Sequence, residues 1–173
     1  MTSPTPITST STLHEQLTFY RQVREQGPWK GHAPPTRFSC IEDLVLRHGR
    51  TYTAGRAVHE PVPRACFCRS YKLAGRKGSP WIYVEGYATS VGCRITVPHA
   101  WLTRADTPER AYDVAWSDAA EGAEYLGIPF RMDYVRRVYD ASKRRQFGVL
   151  EAWWLGFPLV TGETPVEEVT YDN

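Results

Sequence analysis

The region from Trp81 to Trp116 constrains the fold more than any other part of the chain. Residues Trp81 to Ala88 are mostly aromatic or β-branched, which is typical of a strand. The segments that follow are interpreted as strand, strand and polar turn: 90–97, 99–102 and 103–109. A further strand then carries Asp113. These connections are too short for the crossovers that parallel strands need, so the pattern predicts a small antiparallel meander.

Helical patterns flank the strands on both sides. Apolar residues recur at helical spacing over 13–24, and Ser39 with Glu42 forms the signature of a capping box before a second helix. A short helix is predicted over 66–74 and a longer one, with a basic outer face, over 132–147. This order of elements predicts an α+β fold with helices packed on a small antiparallel sheet.

The length of 173 residues suits one domain with a core of its own. Residues 1–12 are rich in Ser, Thr and Pro, which predicts a mobile segment before a single domain over 13–162. Residues 51–63 contain several Gly and Pro residues and are interpreted as an irregular approach to Cys66. The acidic residues 163–173 are expected to form a loose tail.

Composition excludes several classes of protein. A hydrophobic content of 42% argues against disorder, and a net charge of +2 does not point to a nucleic-acid partner. No apolar run approaches the ~20 residues that cross a bilayer, and the first residues lack the pattern of a secretory signal. The four cysteines do not form a disulfide framework, so we expect reduced thiols in a cytoplasmic protein without a membrane partner.

Three side chains in chain order suit thiol chemistry. Cys66 lies at a predicted helix start, where unpaired N–H groups favour a thiolate and are able to hold an oxyanion. His99 begins a strand, and Asp113 lies fourteen residues later on the next one, where cross-strand pairing would join the two side chains. Acyl transfer through a thiol needs a base to take the thiol proton and an acid to orient that base.

Alternatives remain for every member of this triad. Most free cysteines are small buried hydrophobes, and spacing does not decide whether Cys66 or Cys68 faces the imidazole. His99 would also suit a core position. His59, in the loop before the cysteines, is a second candidate base, and Asp118 in a polar turn is a second candidate acid.

A zinc site is the competing use of the same residues. Cys66, Cys68, Cys93 and His99 supply suitable ligand atoms, but Cys-x-Cys departs from the usual spacing of two to four intervening residues. The chain is also long enough to fold without a metal. We therefore expect neither a structural zinc ion nor another cofactor.

The residues around Cys66 suggest the kind of substrate. Arg69, Glu85 and Trp101 are the candidate binding residues. The segment is rich in cations and aromatic residues: Arg64, Lys72, Arg76, Lys77, Tyr71, Tyr83 and Tyr87. Because arginine binds carboxylates in a bidentate manner, this surface would favour an acidic peptide. The alternative is that the charges only solvate a turn and a helix face.

Five motifs together resemble a known superfamily. They are Cys-Phe-x-x-Ser before a helix, Tyr-Val-Glu-Gly-Tyr-Ala, Pro-His-Ala-Trp, a strand Asp and Tyr-Leu-Gly-Ile-Pro-Phe. Over about residues 63–130 the chain resembles small bacterial and phage proteins that are similar to the transglutaminase-like branch of the papain-like cysteine superfamily. In such motifs an Asn often follows the cysteine by three positions, and here Arg69 stands instead.

The resemblance implies a papain-like core with Cys66 as nucleophile, His99 as base and Asp113 as the orienting acid. It implies an amide hydrolase or acyltransferase that acts on a peptide or protein, and it leaves proteolysis, deamidation and transamidation open. The alternative function is that of a catalytically silent papain-like module that binds another protein. In one form of this alternative, a phage carries the module.

Overall fold

A computed structural model gives the structure of the protein. It describes residue 8 and residues 11–26, 36–54, 60–89, 95–117, 122–142 and 147–171. No helix among these residues is both long and apolar enough to cross a membrane.

The described residues form a mixed α and β fold around a closed five-stranded barrel. Its strands are β1 (Arg50–Ala54), β2 (Trp81–Thr89), β3 (Thr96–Arg104), β4 (Thr107–Tyr112) and β5 (Glu124–Phe130). Their order around the barrel is β1-β4-β3-β2-β5, and β1 also pairs with β5. The pairs are antiparallel except β1 with β4, which runs parallel.

The structure closes the predicted small antiparallel meander into a barrel. Strands β2, β3 and β4 follow one another in antiparallel register, but the strands predicted over 90–97 and 99–102 are described from Thr96 as one strand, and Asp113 lies just after β4 rather than on it. Strand β1 closes the sheet, although residues 51–63 were predicted to be irregular. The polar turn predicted over 103–109 is also much shorter in the structure, since β4 begins at Thr107.

Six helices and one 3-10 turn are described around the barrel. They are α1 (Leu13–Gln26), α2 (Ile41–His48), α3 (Cys66–Ala74), α4 (Met132–Ser142), the 3-10 turn Trp153–Leu155, α5 (Pro158–Thr161) and α6 (Val166–Val169). The predicted helices over 13–24 and 66–74 are therefore present. Helix α4 is described to Ser142, and residues 143–146 of the predicted helix lie outside the described residues.

The two faces of the barrel wall carry different cores. Tyr83 and Tyr87 of β2 belong to the main core, which the helices cover. Val84 and Ala88 alternate with them and belong to a smaller cluster that includes Tyr125. Since successive side chains of a strand point to opposite faces, the smaller cluster fills the inside of the barrel. The barrel wall thus separates an inner cluster from the outer, helix-covered core.

The C-terminal residues are packed rather than loose as far as the structure describes them. Helix α6 places Val166 and Val169 in the main core. The backbone N–H of Tyr171 donates to the carbonyl of Pro129, and Thr170 forms a bridge with Phe130. The acidic composition of this segment concealed the two valines, which lie three apart on one helical face.

Candidate active site

Helix α3 begins at Cys66, as the sequence predicts. The first turn is fixed by the N–H of Arg69, which donates to the carbonyl of Ala65. The N–H groups at a helix start have no partner within the helix, and no bond is recorded for those of Cys66, Phe67 and Cys68 in the described residues. Cys66 is 8% exposed. The thiol therefore lies at the N-terminal end of a helix, at a nearly closed surface.

His99 lies on the inner face of β3. It pairs with Gly86 of β2, and its ring stacks on Trp116 with a centroid distance of 4.2 Å. Trp101, two residues along β3, lies on the same face at 6.3 Å. The imidazole is 2% exposed, so its polar contacts are made with protein atoms rather than bulk water.

Asp113 comes directly after β4 and is fully buried. Its Oδ2 lies 2.8 Å from Nε2 of His99 and accepts a hydrogen bond from the Tyr125 hydroxyl, also at 2.8 Å. Its Oδ1 accepts the backbone N–H groups of Ala115 and Trp116 at 2.7 and 2.9 Å. Four donors thus hold this carboxylate, and it has little freedom to turn away from His99.

Cys66 completes the group. Its thiol lies close enough to His99 to help raise the pKa of the imidazole. Because Nε2 of His99 binds Asp113, Nδ1 is the ring nitrogen left for the thiol. The structure therefore joins the three predicted residues in the order thiol, imidazole, carboxylate.

The barrel has a gap where these side chains meet. Strand β3 pairs with β4 only between Leu102 and Arg104, so the half of β3 that carries His99 has no β4 partner in the described residues. The N–H of Val62 donates to the carbonyl of Val114 and ties the approach of α3 to the segment after β4. The start of α3 can therefore reach a side chain on the inner face of the barrel.

The charges within the group reinforce one another. Burial lowers the pKa of His99, but the hydrogen bond with Asp113 and the neighbouring Cys66 thiol outweigh it and raise the pKa to about 9. Burial raises the pKa of Asp113, but the hydrogen bond and charge of His99 and the two backbone donors hold it below its usual value. At pH 7 the pair is an imidazolium and a carboxylate, and the imidazolium would stabilise a thiolate.

The alternative site residues fare differently. Cys68 is half-buried on α3, two residues after Cys66, so the two side chains point about 200° apart around the helix axis. No hydrogen bond between Cys68 and His99 is recorded. His59, Cys93 and Asp118 lie outside the described residues. No group of three or more His, Cys, Asp or Glu residues within the described ranges is arranged to hold a metal ion.

Two of the three predicted binding residues are buried away from any approaching substrate. Trp101 is fully buried inside the barrel, where its ring lies directly over Gly127. Glu85 is 2% exposed on the outer face of β2, across the barrel wall from His99. Strand alternation placed Glu85 on that face, and the sequence did not indicate which face carried the site.

Glu85 instead binds a loop on the helix side of the barrel. Its carboxylate accepts the Tyr83 hydroxyl at 2.7 Å and the backbone N–H groups of Val149 and Leu150 at 2.7 and 2.8 Å. Burial raises the pKa of Glu85 to about 7, against the lowering effect of these donors. Glu85 therefore fastens residues 148–150 to β2.

The third predicted binding residue, Arg69, is half-buried on α3 and remains close to Cys66 in the chain. Arg64 is exposed and has a φ of 63°, in the left-handed region that few residues other than glycine adopt. Such backbone strain is typical of functional sites. Arg64 lies two residues before Cys66, the candidate nucleophile.

Two contacts of the site were missed from the sequence. Tyr125 and Trp116 are aromatic residues of types that usually fill a core, and nothing in their spacing distinguishes them. The turn after β4 did leave a signal, because an Asp that bonds backbone N–H groups two and three residues later is a common turn former. That signal would have placed Asp113 at a strand end.

Comparisons of the chain with protein-family models, curated proteins and solved structures found no match. The resemblance to the papain-like superfamily therefore rests on the motif residues alone.

Proposed function

We propose that the protein is a cysteine-dependent amide hydrolase or acyltransferase of the transglutaminase-like, papain-like kind. One observation carries the proposal: Cys66 at a helix start lies beside His99, whose Nε2 is bound by the buried Asp113. Nucleophile, base and orienting group in contact are the requirements of thiol acyl chemistry.

The reaction would proceed in two halves. Cys66 attacks the amide carbonyl carbon as a thiolate paired with the His99 imidazolium, while N–H groups at the start of α3 bind the oxyanion. The intermediate collapses, the C–N bond breaks, and His99 gives its proton to the leaving amine. Water or a second amine, deprotonated by His99, then attacks the thioester and releases the thiol of Cys66. Asp113 stays ionised throughout and orients the ring.

Selective alkylation tests the thiol. We expect iodoacetamide to modify Cys66 before Cys40 or Cys68 at pH values below the ordinary thiol range of about 8.5. Mass mapping of the modified peptides measures this directly, and His99→Gln should abolish the preference. Equal and slow labelling of the thiols would favour the catalytically silent binding module instead.

The substrate should be a peptide or protein amide that bears a carboxylate. Arg64, exposed beside the nucleophile, and Arg69 on the same helix supply bidentate partners for such a group. An acidic peptide library should yield a thioester adduct by mass spectrometry. The adduct should vanish in Cys66→Ala and survive in Cys68→Ala.

Charge variants separate the two parts of this proposal. Arg64→Gln and Arg69→Gln should each lower adduct formation with acidic peptides by about tenfold, whereas Lys77→Gln in the exposed turn after α3 should not. If basic peptides react better, the substrate class is wrong while the triad stands. If Cys68→Ala is the inactive variant, Cys68 is the nucleophile.

A further inference from the structure

A cavity lies away from Cys66, on the outer side of the barrel. It has a volume of about 460 Å³ and lies between α1, α2, the start of β3 and the segment that contains Glu151. This volume is in the range of sites that hold small ligands. Its β3 residues, Thr96 and Pro98, alternate with His99 and so belong to the opposite face of the strand.

The carboxylate of Glu42 lines this cavity and is only partly satisfied. Glu42 is 3% exposed, and its Oε1 accepts a hydrogen bond from Arg24 at 3.0 Å. Tyr87 and Cys40 lie against the same group, but Oε2 has no hydrogen bond of good geometry within the described residues. A buried carboxylate oxygen without a partner is costly, and a cationic donor in the cavity would relieve that cost.

A second carboxylate adds to the negative charge. Glu151 is half-buried at the cavity, and burial together with the charge of Glu42 raises its pKa, against the effect of Arg24. No ion pair within 4.0 Å is recorded for Glu151 in the described part of the chain. Arg24 thus faces two carboxylates, and among the described residues one of these negative charges has no cation within 4.0 Å.

The remaining lining suits an apolar stem that ends in a cation. Tyr20 and Tyr87 supply aromatic rings, which attract cations, and Val23 and Ile41 supply apolar surface. We propose that this cavity binds an organic cation on a short apolar stem, such as a lysine side chain, with Glu42 and Glu151 as its anionic partners. Binding there is independent of the chemistry proposed at Cys66.

Titration with matched probes tests this site. Nα-acetyl-lysine N-methylamide is added to isotope-labelled protein and followed by NMR, with the norleucine analogue as the neutral probe. The lysine probe should bind saturably and shift the amides of Tyr87 and Thr96, and the norleucine probe should bind at least about tenfold more weakly. Equal binding of the two probes would overturn the proposal, as would no saturation by about 50 mM.

Variants test whether the lysine probe binds at this cavity. Glu151→Gln keeps the size of the side chain and should weaken the lysine probe by about five- to tenfold, because it removes the unpaired charge. Glu109→Gln, an exposed change on β4, should leave the affinity unchanged. Cys66→Ala should also bind normally. If Glu151→Gln has no effect, or Glu109→Gln weakens the probe equally, the cation does not bind at this cavity.

Discussion

Oδ2 of Asp113 faces His99 and also accepts a hydrogen bond from the Tyr125 hydroxyl, so this hydroxyl helps to hold the carboxylate in place. Tyr125 and His99 share Oδ2, while two backbone N–H groups fix Oδ1. The backbone donors set the plane of the carboxylate from one side, and Tyr125 sets it from the other. Tyr125 is therefore a positioning residue, acting on the imidazole through Asp113.

Replacing Tyr125 by Phe should lower kcat/KM by about ten- to 150-fold, the loss of one hydrogen bond to a charged group. The fold should tolerate the change, because the ring stays in the barrel. Tyr52→Phe, another buried barrel tyrosine with no recorded bond to Asp113, is the matched control and should keep full activity. Equal losses in both variants would mean that the barrel, rather than Asp113, responds to the missing hydroxyl.

The protonation of His99 offers a test that needs no substrate. An NMR titration of the imidazole should give a midpoint near 9, above the ordinary histidine value of about 6.5, because Asp113 and Cys66 favour the charged ring. A raised folded-state pKa contributes stability that is complete below the unfolded value and is lost as the pH rises through about 9. Turnover should decline over the same range, since His99 must protonate the leaving amine.

Asp113→Asn supplies the control for this titration. It removes the carboxylate charge and keeps the size of the side chain, so the midpoint of His99 should move to lower pH. A midpoint that stays near 9 in the variant would show that Asp113 is not the cause of the raised pKa.

Residue chemistry was the part of the site that the sequence predicted best. His99 and Asp113 are polar residues within apolar stretches, and Cys66 begins a predicted helix, so their positions were distinctive in the sequence. Those of Tyr125 and Trp116 were not, because their roles arise only from contacts made across the barrel. Glu85 also stood out, but the sequence alone did not tell which face of its strand carries the site.

At the scale of elements, the loop at 148–150 depends on one buried carboxylate. A side chain at Gly148 would collide with the Glu85 carboxylate, which receives the next two backbone N–H groups of the loop. The glycine is needed there for close approach rather than for an unusual φ. Element boundaries show a similar dependence on tertiary contacts: the capping box predicted at Ser39 is absent, and the N–H of Ser39 instead donates to Asp43.

Gly148→Ala should destabilise the protein by about 2 kcal/mol or more, because the methyl group displaces Glu85 from its donors. In the Glu85→Ala background the same change should cost much less, since the obstructing carboxylate is gone. Denaturant unfolding of the two single variants and the double variant measures the coupling. Additive effects would mean that Gly148 is needed for a reason other than Glu85.

At the scale of the whole molecule, the barrel is closed by pairing between strands that are far apart in the sequence. The three-strand meander was predictable because its pairings are local. The parallel pairing of β1 with β4 was not, since Thr53 and its partner Arg110 are far apart in the chain and the strand is short. Strand β4 pairs with β3 only between Leu102 and Arg104, so among the described residues the part of β3 that carries His99 has no β4 partner.

The C-terminal segment provides the last test at this scale. Val166 and Val169 are 1% and 4% exposed in the main core, and Tyr171 binds the backbone of β5. Removing their methyl groups in the double variant Val166→Ala/Val169→Ala should cost about 2 kcal/mol per residue and lower Tm by about 10 °C.

The neighbouring exposed residues provide the control for that variant. Glu167 pairs with Arg37 at the surface, where an ion pair contributes about 0–1 kcal/mol, and Glu168 is exposed, so Glu167→Ala/Glu168→Ala should change Tm by no more than a few degrees. An unchanged Tm in the valine variant would mean that the segment is loose, as its acidic composition suggests. A large loss confined to the valine variant would show that the domain extends past residue 162, because the core is incomplete without α6.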